Sequence, residues 1–502
     1  MKKRVGVIDI GTDDITLNIA EKSNDKIKNI DTLVKHINLG QDTFLTGKIT
    51  FESAEKTAEA LLGFKQIMNE YNVSQTVAVA TTALREASNR QYIIEQLRIK
   101  TGIDINVIDN RREKIQINKL LYAELSDRIS SSALLVHLGG GTIGLSLLTD
   151  GEIINTMTIF TSALRLNKQF ESRGSIDSLY YSDVIIEYLE GYMGEIDKFM
   201  TIDPQEFVLT GSNVELIVDK CGSRHDEHGI IDRKNFNKLY KEIKDMTPQQ
   251  ISDIYGIDGE TAEVLLPAIV ILNRLVKYTS ADKLLCPDIT IGRAIAYSLL
   301  FPKESEAISD KFAEFSVISA KNICRRFQVN EDHAQRVAEI ALMIFDKLKK
   351  YHRLGQSERL LLHLACLLQN CGKYINIAEH HLHGYNIING LNIVDIDDTQ
   401  RRLLALIVLY HNDSPKPSDN LTDEEFVIVS KLSIILRLAN SVNKSYGNGI
   451  EKTEVALRGN DFIVILHTYK NIELEKWSFL ASAPFFREVY GLNAELKKRS
   501  VM

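Results

Sequence analysis

Two short stretches hold the residue types from which phosphate chemistry is built. Residues 5–17 read VGVIDIGTDDITL and residues 134–147 read LLVHLGGGTIGLSL. Each is an apolar strand, a glycine-containing turn and a second strand, so one supersecondary unit is written twice. Glycine directly after a buried strand lets main-chain N–H groups approach a ligand with no Cβ in the way, and phosphate oxygens are the usual guest. Gly11 closes the first strand, and Gly139, Gly140 and Gly141 follow the second. A tight hairpin would use the same residues, so their surroundings must decide.

The elements around them alternate. SAEKTAEALLGFKQIMNEY has helical apolar spacing, QTVAVATTAL reads as a strand, EASNRQYIIEQLRIKTG as a helix ended by Gly102, and IDINVID as a strand. The order then restarts at residue 132. Two such α/β lobes facing each other put both glycine turns on the walls of one cleft, where open α/β sheets hold ligands. From about residue 305 the pattern is helical, with apolar residues at i, i+3 and i+4, and the end of the chain reads as a hairpin and a helix. The expected division is a first lobe over 1–125, a second over 126–303, a helical domain over 304–446 and a small α+β cap over 447–502.

Composition sets outer bounds. The chain has 502 residues, 44% hydrophobic and 25% charged, with a formal charge of −7, as expected of a globular protein of several domains. There is no long run of Lys or Arg, so bulk charge gives no reason to expect nucleic acid or membrane as partner. Five scattered cysteines fit free thiols in a reducing compartment. The N-terminus lacks an apolar stretch long enough for a signal peptide. A cytoplasmic location is the expectation.

The blocks VGVIDIGTDDITL, VAVATTALREASN, GIDINVIDNRREKI and LLVHLGGGTIGLSL resemble, in order and spacing, the signature blocks of the exopolyphosphatase and guanosine pentaphosphate phosphatase (Ppx/GppA) family. NIAEHHLHGYNIING and LLALIVLYHN look like the HD-related domain of its long members. The fold that the resemblance implies is α/β then mostly α. Two RNase H-like lobes of the actin-like ATPase kind come first, then an HD-like helical domain and a small α+β C-terminal segment. The activity it implies is Mg²⁺-dependent removal of a terminal phosphoanhydride phosphate from polyphosphate or from guanosine pentaphosphate, in a homodimer; the partners it implies are polyphosphate or a guanosine penta- or tetraphosphate. Such a reaction asks for amides and cations around the phosphate, carboxylates for the metal and one carboxylate to orient water.

Carried over residue by residue, the resemblance gives a mixed set. Asp9 and Gly11 match the family, but Thr12, Asp13 and Asp14 stand where it has Ser-Asn-Ser. Two carboxylates facing a polyanion repel it unless a cation lies between; Asp13 and Asp14 are thus either metal ligands with Asp9, or solvated turn residues. The family's water-activating glutamate aligns with Arg112, which cannot deprotonate; Glu113, one residue on, is the substitute candidate unless the base is lost. The glycine triplet follows His137 instead of an aspartate and precedes Thr142, Ile143 and Gly144 instead of Ser-Thr-Glu. Gly11, Thr12, Arg85, Gly139, Gly140, Gly141 and Thr142 remain as phosphate contacts. Arg165 also matches a family block and is read as a second anion contact or a bland surface arginine. In the helical domain His333 is followed by Gln369, Asn370 and Asn440 where an HD centre has its His-Asp pair and last Asp, and neutral amides bind divalent cations weakly. His380, His381 and His383 read as structural or surface histidines of a loop. Two functions of different class follow: a divergent phosphoanhydride hydrolase, or a non-catalytic polyphosphate or guanosine-phosphate binding protein.

Overall fold

A computed structural model describes residues 3–24, 26–126, 128–129, 131–172, 181–211, 213–225, 228–413, 415, 421–446 and 449–500. The chain forms two compact units, Met1–Phe312 and Ala313–Met502. Among the described residues no helix is long and apolar enough to cross a membrane.

The first unit holds two sheets built from the repeated pattern. Strands β1 (Arg4–Ile10), β2 (Asp14–Ser23), β3 (Lys26–His36), β4 (Gln75–Ala80) and β5 (Ile105–Val107) lie in the order β3-β2-β1-β4-β5. Strands β6 (Ser132–Leu138), β7 (Ile143–Thr149), β8 (Glu152–Ile159), β9 (Glu206–Gly211), β10 (Ser223–His225), β11 (His228–Asp232) and β12 (Lys283–Pro287) lie in the order β10-β11-β12-β9-β6-β7-β8. In both, an antiparallel meander (β1-β2-β3, β6-β7-β8) is joined by a parallel strand returning beside its first member. The return needs a crossover, which in the first sheet includes the helix Phe51–Glu70. That helix starts on Thr50, whose hydroxyl accepts from Ser53 N–H, and buries Ala54, Ala58, Leu61 and Phe64 at helical spacing.

The repeat extends to individual residues. Asp9 pairs with Thr16 and His137 with Gly144, each one position before its strand ends. Gly11 N–H then closes its turn on the Asp14 carbonyl, and Gly139 N–H on the Thr142 carbonyl, both at 2.9 Å. Asp9 and His137 therefore occupy equivalent places at the mouths of two equivalent turns.

The second unit is helical around one core that runs from Ala320 to Ala494, with a sheet of β13 (Ile450–Arg458), β14 (Asp461–Thr468) and β15 (Asn493–Arg499) in that order. The hairpin β13-β14 and the helix Glu473–Tyr490 follow the sequence pattern. The parallel strand β15 does not: NAELKKR has too few apolar residues to signal a strand, and its place comes from pairing with β14. His380 and its neighbours, expected in a loop, open a helix, His380–Gly390. Gly384 and Ile388, on one face of it, are buried, and that packing outweighs the weak local propensity of HHLHG.

Candidate active site

The residues singled out by spacing come together where the two lobes of the first unit meet. Asp9 lies one residue before the end of β1, Gly11 to Asp13 form its turn and Asp14 starts β2; Gly139 to Thr142 form the equivalent turn after β6. Arg85 lies in the short helix Thr82–Glu86, and Glu113 in the first turn of the helix Asn110–Leu125, which Asp109 caps by accepting from Arg112 N–H. Arg112 is thus an exposed first-turn residue.

The bareness of the glycine triplet has a specific cause. A Cβ on Gly140 would lie 1.9 Å from Thr12 Oγ1, and one on Gly141 would lie 2.2 Å from Thr82 Cγ2. The two turns abut, and Gly140 and Gly141 are bare because two threonines of the other lobe occupy the space a side chain would need. Only about 20 Å³ remains open beside Gly139 and Gly140, room for a water and not for a phosphate. Among the described residues the N–H groups of Gly140 and Gly141 donate to no protein acceptor, whereas those of Gly11 and Gly139 are committed to their turns.

Carboxylates define the electrostatics. Asp9 Oδ1 is buried without a hydrogen-bond partner. Burial above all, with the negative charges of Glu113 and Asp14, lifts the Asp9 pKa to about 7. Glu113 is also raised by burial, but Arg85 opposes this: its Nη1 lies 3.8 Å from Glu113 Oε2. The same guanidinium donates to the carbonyl of Ile108 and the hydroxyl of Thr82, both at 2.8 Å, and to Asn110 Oδ1. Arg85 therefore fastens the start of the Glu113 helix and compensates its carboxylate. His137 Nε2 stands 4.0 Å from Glu113 Oε1, and its Nδ1 is 3.0 Å from Thr210 Oγ1. Burial pushes His137 down to about 4, so it is neutral at physiological pH and supplies no positive charge. Asp13 is raised to about 6, first by burial and then by Asp14 and Glu260; Asp14 is also raised by burial, and His36, which contacts its Oδ1, opposes this.

Two larger cavities flank these carboxylates. One, of about 660 Å³, is bordered by Asp13, Asp14, His36 and Lys168; the other, of about 790 Å³, by Asp9, Asp14, Asn18, Arg224 and Arg293. Arg165 donates to both oxygens of Glu86 at 2.7 and 2.8 Å and stacks on Phe44, which makes it a tie between the lobes. Among the described residues no three His, Cys, Asp or Glu side chains form a group that holds a metal by themselves. A cation completed by substrate oxygens and water needs only one or two carboxylates, and the unpartnered Asp9 Oδ1 with Asp14 beside it fits that requirement.

Some of the machinery was not singled out by spacing. Lys114 is buried, its Nζ donating to Thr158 Oγ1 at 3.0 Å and the Met157 carbonyl at 3.3 Å, with its stem against Gly144. The signal was present: Lys114, Ile117, Asn118 and Leu121 are the i, i+3, i+4, i+7 face of their helix. Thr82 and His36 had no comparable signal, because only lobe packing and strand pairing bring them in. In the helical unit, Asn443 Nδ2 donates to His333 Nδ1 at 2.9 Å, His333 Nε2 lies 3.2 Å from Asn440 Oδ1, and the ring stacks on Tyr446. Both ring nitrogens of His333 are occupied by amides.

Comparison with known proteins agrees with this arrangement. The model of the Ppx/GppA phosphatase family matches residues 18–300, and that of Ppx/GppA phosphatase, domain III, matches residues 317–480. A bifunctional 3-dehydroquinate synthase/phosphatase of Fusobacterium nucleatum is 23% identical over 290 residues, 55% of this chain and 43% of that protein. The chain therefore spans less than half of that relative. A guanosine-5'-triphosphate,3'-diphosphate pyrophosphatase of Pseudoalteromonas atlantica is 22% identical over 395 residues, 77% of this chain and 76% of that protein. Among solved structures, an exopolyphosphatase from Cytophaga hutchinsonii shares the fold at a TM-score of 0.54 and 21% identity, covering 59% of this chain and 98% of its own. A family member from Aquifex aeolicus does so at 0.51 and 19%, covering 60% and 99%. Matched by these two models over most of its length, the chain belongs to the Ppx/GppA phosphatase family.

Proposed function

We propose that the first unit hydrolyses a terminal phosphoanhydride phosphate in the cleft between its lobes. One observation carries the reading: Asp9, with a buried, unpartnered carboxylate oxygen and a pKa near 7, set beside a second, largely buried carboxylate, Glu113, at the mouth of the glycine turns. Strongly perturbed acids in a cleft mark sites of proton chemistry. Their surroundings separate the two roles. Burial raises Glu113 and Arg85 partly offsets this, so Glu113 is the acid with a cation to help it ionise, and once ionised it can orient a water and take its proton. Asp9 has no cation within the protein and, with Asp14, would hold Mg²⁺, which when bound supplies charge to the transferring phosphate. The N–H groups of Gly140 and Gly141 are the donors left for phosphate oxygens once Thr12 withdraws from Gly140. The helical unit is read as an HD-like module that has lost its metal ligands, since amides hold His333 where a metal centre would need it free.

Polyphosphate and a guanosine pentaphosphate are the ligands to try, on the strength of the relatives. A second reading, a phosphate-binding protein without catalysis, is favoured by the filled space at Gly140. Orthophosphate release in the presence of Mg²⁺, measured alongside direct binding, separates the two. Release that Glu113→Gln removes supports hydrolysis; binding with no release supports the second reading.

A further inference from the structure

The charge along the cleft limits what enters it. The 660 Å³ cavity is bordered by five carboxylates against Lys168 and His36, and the 790 Å³ cavity by five against Arg224 and Arg293, with Asp14 common to both. Each of the three permanent cations is already answered by a carboxylate of the protein. Lys168 lies 3.9 Å from Glu263, Arg224 3.2 Å from Asp219, and Arg293 2.9 Å from both Asp288 and Glu124. Nearer the turns, Arg85 faces Glu113 and Arg165 clasps Glu86. A chain of phosphates laid through these cavities would meet like charge along its length and gain no cation that is not neutralised first. The second cavity offers instead uncharged hydrogen-bonding groups: Thr16, Asn18, Asn29, Thr32 and Thr290.

Resting on the hydrolytic reading above, we infer that this cleft selects against highly charged phosphates. It takes a low-charge phosphoanhydride, a diphosphate on a neutral, hydroxyl- or amide-rich body, brought in with a divalent cation. The phosphate end meets Asp9 and Asp14 through that cation, and the body lies against the asparagines and threonines. Long polyphosphate and a guanosine pentaphosphate are both disfavoured by their charge.

The test compares binding and orthophosphate release for three probes with Mg²⁺ at low and high salt: a nucleoside diphosphate, guanosine pentaphosphate and long-chain polyphosphate. Wild type is expected to bind the diphosphate at least tenfold more tightly than polyphosphate, with the gap narrowing at high salt as screening grows. The double variant Glu215→Lys, Glu260→Lys changes one exposed carboxylate in each cavity. It should improve polyphosphate binding at least tenfold and leave the diphosphate within about threefold. Polyphosphate bound by wild type as tightly as the diphosphate, or a double variant with no gain, overturns the inference. Diphosphate bound selectively but never cleaved leaves the selectivity standing and overturns the hydrolytic reading. No binding of any probe overturns both.

Discussion

An aspartate buried without a cation is held most easily with its proton on, and Asp9 is in that position. Its folded-state pKa of about 7 is above the ordinary 3.8. Between those values the folded chain keeps a proton that the unfolded chain has released, so stability falls as pH rises through that window and is constant above it. Asp9→Asn removes this dependence. Its thermal stability relative to wild type should rise by about 2 kcal/mol between pH 5 and pH 8, read from paired melting curves; a margin that does not change with pH would show that Asp9 is not held protonated. Glu113→Gln bears on chemistry instead. Phosphate release should fall by a factor of at least about 100, with ligand binding nearly unchanged, and a rate within threefold of wild type would exclude Glu113 as the base.

At the scale of elements, the glycine turns are where two lobes touch. Gly140→Ala puts a methyl into the space of Thr12 and should cost about 1–3 kcal/mol, part of which Thr12→Gly restores in the double variant. Gly63 is the contrast. It is exposed inside the helix Phe51–Glu70 with nothing near its missing Cβ, so Gly63→Ala should stabilise by roughly 0.5–1 kcal/mol. Denaturant titration of the variants checks both signs. These contacts also mark how far the sequence could be read. The repeated strand, turn and strand, the helix within SAEKTAEALLGFKQIMNEY and the helix stop at Gly102 are local patterns, and all are in the fold. That Thr12 and Thr82 fill the space beside Gly140 and Gly141 depends on residues far apart in the chain, and no spacing records it. The same holds for β15, whose pairing with β14 is non-local, and for the Asp14–His36 pair, which the β2-β3 register creates. Asp9, Glu113 and Arg85 were recognisable as residue types, but their burial and mutual compensation were not.

For the whole molecule, the proposed chemistry belongs to the first unit alone. Asn440→Ala, which removes an amide partner of His333 in the second unit, should cost about 1 kcal/mol of stability and leave phosphate release within twofold; a loss of more than tenfold would mean that the helical unit takes part in the reaction. Family membership covers both units, and the solved structures share the fold over about 60% of the chain. The most direct test of the central claim is Mg²⁺-dependent orthophosphate release by wild type, Asp9→Asn and Glu113→Gln side by side. Wild type is expected to release orthophosphate, and both substitutions to abolish that release while the variants stay folded. Release that survives both, or no release from any phosphoanhydride by a wild type that binds one, would contradict the claim.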